Sequence, residues 1–327
     1  MVNAKITGIA SYVPDYVLTN DELSTMVDTN DEWIMQRVGI KERRILKEPV
    51  GSSHMGIIAV KKLLEQTGTR PEEVDLLICA TSNPDYRFPS TASVIAHNCG
   101  MDGTCYGYDI QAACAGFIVA SFDANAYIKA GLYKKVVVVC TEKMSSMVNY
   151  EDRATCPLFG DGAAAVLMEP TTDGDGIIDA VFHVDGCGLE HLIYKAGGSA
   201  KPTSHETVDA REHFVYQEGR AVYRHAVTDM LTSTQEIMKR NNLTVDDFEW
   251  FVPHQANLRI IEAVGQRLGI DPAKVLVNIE KVGNTSAASI PLCLDQRRDM
   301  LHRGDRLVLT AFGAGFTWGA QYLIWSI

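Results

Sequence analysis

Three side chains of the types used in acyl transfer stand far apart in the chain: Cys114, His254 and Asn284. Cys114 lies in Ala112-Ala113-Cys114-Ala115-Gly116, among residues small enough to let a substrate approach. A thiol at a helix N-terminus is biased toward thiolate by the dipole and the free N–H groups. That is one way a nucleophile is activated. The other reading of Cys114 is an inert buried cysteine. His254 follows Trp250-Phe251-Val252-Pro253 and reads either as a satisfied core histidine or as a group that handles protons and hydrogen bonds. Asn284 sits in Gly283-Asn284-Thr285-Ser286. A Cys, a His and an Asn that converge suit thioester chemistry. The turn Phe312-Gly313-Ala314-Gly315-Phe316-Thr317-Trp318-Gly319 misses the dinucleotide-loop spacing because its third glycine comes one residue late. It reads as backbone N–H groups facing an oxyanion, or as a tight turn. No G-x-S-x-G, P-loop or H-E-x-x-H occurs, so hydrolase, nucleotide-driven and zinc-protease readings lose their usual support.

These residues must be brought together by repeated elements. Strand-like apolar runs fall at 5–10, 75–81, 106–110, 136–140 and 163–168, and again at 176–184, 249–253, 275–279, 306–310 and 320–325. Matching members of the first four pairs lie about 170 residues apart, as Tyr108 with Val277 and Val138 with Leu309, and the last pair slips because residues 140–160 hold an extra loop. Helices are expected at 53–67, closed by Gly68, and at 114–130, closed by Gly131. Their counterparts are expected at 216–240 and 286–301. Alternating strands and helices imply an α/β protein with largely parallel sheets. The chain therefore predicts two similar halves packed as a pseudo-dimer, 1–172 and 173–327, joined by the turn-rich 171–176. Cys114 and Asn284 fall on equivalent strand-to-helix turns, beyond the carboxyl ends of strands, where α/β sheets bind ligands.

Composition narrows the classes. The 327 residues are 46% hydrophobic and 22% charged, which excludes disordered and fibrous proteins. The net charge of −11 argues against a sequence-independent nucleic-acid binder. No apolar run approaches the ~20 residues of a membrane helix, and no signal peptide is visible, so a cytoplasmic protein is expected. The eight cysteines are scattered and imply neither disulfides nor a metal site. Residues 185–215 match nothing in the first half and read as an inserted loop with solvated His191, His205 and His213.

Taken in order along the chain, the motifs resemble those of the β-ketoacyl-acyl-carrier-protein synthase III family, the initiating condensing enzymes of bacterial type II fatty-acid synthesis. They are Val27–Ile34, Ala113-Cys114-Ala115-Gly116, Phe159-Gly160-Asp161-Gly162-Ala163, Val252–Arg259, Gly283–Ser289 and Phe312–Gly319. The resemblance implies a thiolase-like fold of duplicated βαβαβαββ halves in α-β-α-β-α layers. It implies Cys114 as the acylated nucleophile, with His254 and Asn284 serving decarboxylation. The N–H groups of Cys114 and Ala314 would hold the oxyanion. Trp33, Arg37, Arg153, Gly219, Asn257 and Phe312 would bind CoA or substrate, and Arg259 would dock acyl-carrier protein. Phe88 would reach the neighbouring subunit's acyl pocket in a homodimer. CoA thioesters would be substrate and product, with no resident cofactor and no metal. The same triad would also serve a starter-unit condensing enzyme or an acyltransferase of specialised metabolism. Outside those classes stand a thiol-dependent hydrolase and a non-catalytic scaffold.

Overall fold

The computed structural model describes residues 2–327. The first half contributes strands β1 (Asn3–Tyr12), β2 (Leu76–Ala80), β3 (Tyr106–Ile110), β4 (Val136–Glu142) and β5 (Gly162–Thr171). Its main helices are α1 (Asp31–Val38), α2 (Ser53–Thr67), α3 (Thr91–Asn98) and α4 (Gly116–Lys129). The second half contributes β6 (Gly176–Val184), β7 (Trp250–Pro253), β8 (Arg306–Gly313) and β9 (Thr317–Ile324). Its main helices are α5 (Gly219–Arg240), α6 (Leu258–Leu268) and α7 (Ser289–Gln296).

The two sheets are wound alike. The first runs β3-β2-β4-β5-β1, with β2 parallel to β3 and β4 and the remaining neighbours antiparallel. The second runs β7-β8-β9-β6, with β7 parallel to β8 and the rest antiparallel. The missing fifth strand is the one expected at 275–279, which is reduced to a single bridge from Phe251 to Val275. The reason lies in Gln255. Its side-chain amide donates to the carbonyls of Pro253 (2.7 Å) and Leu276 (3.2 Å). Its carbonyl accepts from the N–H groups of Asn278 (3.0 Å) and Ile279 (3.3 Å). One buried side chain thus satisfies the backbone groups that a strand ladder would otherwise pair.

Helices α4 and α7 lie between the sheets, α2 and α3 cover one outer face, and α5 and α6 cover the other. The five layers follow from sequence. The Val136–Cys140 run is buried on both faces, as a strand covered on both sides must be. Helix α4 (GFIVASFDANAYIK) is apolar on most of its surface and belongs between two sheets rather than on the outside. Its Phe117, Ile118 and Ile128 join Ile78 and Val138 of one sheet and Leu309 and Leu323 of the other in one core. Helix α2 ends where the sequence places its stop, at Gly68 with φ +64°.

The inserted region is more ordered than a solvated loop. Residues 192–194 pair with 215–217, and a short helix spans His205–Asp209. His191 Nδ1 lies 2.7 Å from a Glu218 carboxylate oxygen, and its ring stacks on Phe316. His213 packs against Phe214. Only His205 remains exposed as expected. No described helix is long and apolar enough to cross a membrane.

Candidate active site

A single cavity of about 1170 Å³ opens between the halves, and Cys114, His254 and Asn284 all line it. Each is placed by a different device. Cys114 follows Ala113, which adopts φ +44°, a left-handed conformation costly for any residue with a Cβ. That twist turns the thiol out of the strand-to-helix turn. Gly313 at the end of β8 permits the packing: a Cβ there would lie 2.6 Å from the Cys114 nitrogen. Asn284 is strapped to the first half, its N–H donating to Leu158 (2.8 Å) and its carbonyl accepting from Gly160 (3.1 Å). His254 caps the end of β7 and donates its N–H to Thr310 (2.8 Å).

Side-chain hydrogen bonds then decide which atoms face the cavity. Asn284 Oδ1 accepts the Ser286 N–H at 2.8 Å. Its Nδ2, which can only donate, is left without a partner among the described residues. His254 Nδ1 lies 2.6 Å from Ser289 Oγ, which also accepts the Gln255 N–H at 3.4 Å. Among the described residues the Ser289 hydroxyl has no other acceptor, so its proton is assigned to Nδ1 and the ring's own proton to Nε2. Burial pushes the His254 pKa down to about 3, so the ring is neutral at ordinary pH. Both groups are neutral donors.

The Cys114 thiol does not follow the helix-dipole expectation. Burial pushes its pKa up to about 12, and the nearby Glu142 carboxylate adds to the rise. A 3.7 Å contact with the Ser286 hydroxyl and the thiol's own backbone N–H act in the opposite direction. At ordinary pH the residue is a thiol. Desolvation of an anion outweighs the short first turn of α4.

The other expected residues divide. Ala314, Phe312, Trp33, Arg37, Gly219, Asn257 and Arg259 line the same cavity. Gly219 starts α5, and a Cβ there would meet nothing, so the fold itself does not require glycine. Asn257 caps α6 by accepting the Arg259 N–H (2.9 Å) and donates to the Arg37 carbonyl (3.2 Å). Arg259 rests 5.5 Å from the Tyr223 ring centroid. Arg153 lies outside the cavity lining, with its guanidinium 4.2 Å above the Trp33 ring. A base stacked between that pair must lift Arg153 first. Phe88 is 87% exposed and does not line this chain's cavity. Sequence reasoning assigned no role to Ser286, Ser289 or Glu142. The two serines lie inside the quoted Gly283–Ser289 motif, and Glu142 was hidden because β4 runs two residues beyond its expected end.

Comparison with known proteins places this geometry. The family described as 3-oxoacyl-[acyl-carrier-protein] synthase III matches residues 108–186, and its C-terminal part matches residues 238–325. The β-ketoacyl-[acyl-carrier-protein] synthase III of Porphyromonas gingivalis is 56% identical over 326 residues, covering 99% of this chain and 97% of that protein. The chain belongs to this family. Among solved structures, the family member from Aquifex aeolicus superposes with a TM-score of 0.90 at 41% identity, over 98% of this chain and 100% of that one. The priming β-ketosynthase of the R1128 polyketide pathway superposes at 0.91 with 34% identity, over 99% and 96%. The family's thiolase-like fold is the fold described above.

Proposed function

We propose that the protein initiates fatty-acid synthesis by condensing an acyl-CoA primer with malonyl-acyl-carrier protein, through an acyl-Cys114 intermediate. The observation that carries this reading is the convergence of one thiol and two neutral hydrogen-bond donors in one cavity. Cys114 attacks the primer thioester and releases CoA. Malonyl-acyl-carrier protein then enters the vacated channel. His254 Nε2–H and Asn284 Nδ2–H donate to its thioester oxygen while CO₂ leaves, so the developing enolate is stabilised. Carboxylates in their place would repel that charge. The carbanion attacks the acyl-Cys114 carbonyl, and the N–H groups of Cys114 and Ala314 hold the resulting oxyanion. One such donor contributes about 3–4 kcal/mol of barrier lowering.

The division at 172/173 separates the nucleophile's half from that of the two donors. Trp33, Arg37, Gly219, Asn257 and Phe312 line the CoA and pantetheine channel and Arg153, stacked on Trp33 beside it, binds CoA with them, with no resident cofactor or metal. Arg259, exposed at its mouth, meets the acidic carrier protein. Exposed Phe88, Tyr86 and Tyr106, the last on edge strand β3, support a homodimer in which Phe88 enters the partner's primer pocket. Both thioester substrates are cytoplasmic, and the reaction belongs there.

The likeness to a priming polyketide ketosynthase supports a second reading, a starter-unit condensing enzyme of specialised metabolism with the same triad. Peptide mass spectrometry after competition between acetyl-, isobutyryl- and hexanoyl-CoA tests both. An acyl mass on the Cys114 peptide is expected, and the winning group names the primer. Intact CoA esters with unmodified Cys114 would overturn the acyl-CoA-primed reaction.

A further inference from the structure

Glu142 is a fully buried carboxylic acid that the reaction above does not use. It ends β4 directly behind the nucleophile's turn. Its oxygens accept from the Ser82 N–H (3.0 and 3.1 Å), the Ser82 hydroxyl (3.1 Å) and the Thr81 hydroxyl (3.3 Å). The Ser286 hydroxyl and the Ala287 N–H, on the turn packed against β4, lie near it and favour its charged form. Ser286 is the residue whose Oγ lies 3.7 Å from Cys114 Sγ. Thiol, hydroxyl and carboxyl therefore lie in a row that leads back from the cavity wall to the buried end of β4. Ser286 is held in it at φ +51°, a strained conformation that local packing must maintain.

Among the described residues, the surroundings of Glu142 contain thiols and no close cation. Cys140 is on its own strand, Cys79 on neighbouring β2, and Cys114 on the facing turn. Lys143, the next residue, points away and donates to the carbonyls of Glu48 and Val50. Burial pushes the Glu142 pKa up to about 7 against the hydrogen bonds that hold its charge. A carboxylate of that strength is poised to take a proton at ordinary pH. While it stays charged it also raises the thiol beside it.

We propose that Glu142 is a positioning residue for the acylation step, accepting through the Ser286 hydroxyl the proton that Cys114 gives up. The proposal rests on the acyl-Cys114 reading and deepens it. As the thiolate forms, the Cys114 S–H bond breaks and that proton binds Ser286 Oγ. The proton Ser286 already carried passes to a Glu142 oxygen. Glu142 becomes a neutral carboxylic acid, which removes the negative charge that opposed the thiolate. The Cys114 sulfur bonds to the acyl carbon, the bond from that carbon to the CoA sulfur breaks, and the stored proton leaves on the CoA thiol. Glu142 is then a carboxylate again. No oxidant, reductant or co-reactant is consumed.

The test is the single-turnover release of CoA from acetyl-CoA, or from whichever primer acylates the wild type, followed from pH 5.5 to 9. Glu142→Gln, Glu142→Asp and Ser286→Ala are compared with the unsubstituted protein. The wild-type rate is expected to rise through an inflection near pH 7. Glu142→Gln and Ser286→Ala should lose that inflection and fall about 100-fold at pH 7.5, with Glu142→Asp recovering part of both. Decarboxylation of malonyl-acyl-carrier protein, which needs no thiolate, should fall far less, by about threefold. An inflection unchanged in both Glu142→Gln and Ser286→Ala would overturn the relay. So would an equal loss of acylation and decarboxylation, the mark of a damaged fold. A wild type that no acyl-CoA acylates would overturn the underlying reading as well, and is distinguished by the absence of any acyl mass on Cys114.

Discussion

The two halves carry the same strand-to-helix turn with opposite contents. In the first, Ala113 takes φ +44° and a 3₁₀ turn leads into α4; in the second, Ser286 takes φ +51° and a 3₁₀ turn leads into α7. By this backbone match the partner of Cys114 is Ala287, with Asn284 three residues earlier in the equivalent turn. The strands facing the two turns end in different residues. β8 ends in Gly313, where a Cβ would lie 2.6 Å from the Cys114 nitrogen. β4 ends in Glu142, whose carboxylate lies beside the Ala287 N–H. One turn faces a glycine, and the other faces the protein's own carboxylate. The two turns of the duplicated scaffold differ by the residue at the end of the strand that faces each, a glycine beside Cys114 and a glutamate beside Ala287.

The comparison can be broken most severely at the nucleophile. Cys114→Ala should abolish acyl-enzyme formation and lower condensation by about 10⁴-fold or more, read by mass spectrometry and product formation. Gly313→Ala should crowd the Cys114 turn. Its new Cβ must displace the Cys114 nitrogen, and kcat should fall about 100- to 1000-fold, close to the loss of an oxyanion donor, while primer KM changes little. Ser289→Ala removes the group that fixes the His254 tautomer. Malonyl decarboxylation should drop about tenfold, with Cys114 acylation by acyl-CoA retained.

Two buried groups of the site, His254 and Glu142, should also respond to pH with opposite signs. The folded pKa of His254, about 3, lies below the unfolded value of 6.5. The unfolded chain then binds the extra proton, so stability falls as pH drops from 6.5 toward 3. The folded pKa of Glu142, about 7, lies above its ordinary 4.5. Its contribution is complete below 4.5 and is lost as pH rises through 7. Urea midpoints at pH 5 and pH 8 should show Glu142→Gln gaining stability over the wild type only at the higher pH, by on the order of 3 kcal/mol at most. The smallest effect is expected outside both turns. Arg259→Glu should raise KM for the carrier-protein substrate about three- to tenfold with kcat nearly unchanged, and the difference should shrink with salt.

Much of this was readable from patterns of residue type. The valine run at 136–140 announces a doubly covered strand, and Gly68 marks a helix stop that the fold keeps. The triad itself was legible because small residues, turns and strand ends sit around it in a repeated order. The strand expected at 275–279 was not, because Gln255 replaces its ladder with side-chain bonds that reach 21–24 residues along the chain. The same holds for Arg153, whose place on Trp33 depends on a side chain folding across a gap, and for His191, whose partner Glu218 comes from outside its loop.

By itself the sequence determined the duplication, the sheet-forming and helix-forming segments, and the identity of the groups able to do thioester chemistry. Those properties depend on local pattern, and local pattern is written in order along the chain. Only the tertiary structure decided the protonation of those groups. A helix N-terminus favours thiolate in isolation, yet burial and a carboxylate from another strand keep Cys114 a thiol, and burial alone keeps His254 neutral. Desolvation and charge act through space, and the distances that set them exist only once the two halves have closed on each other.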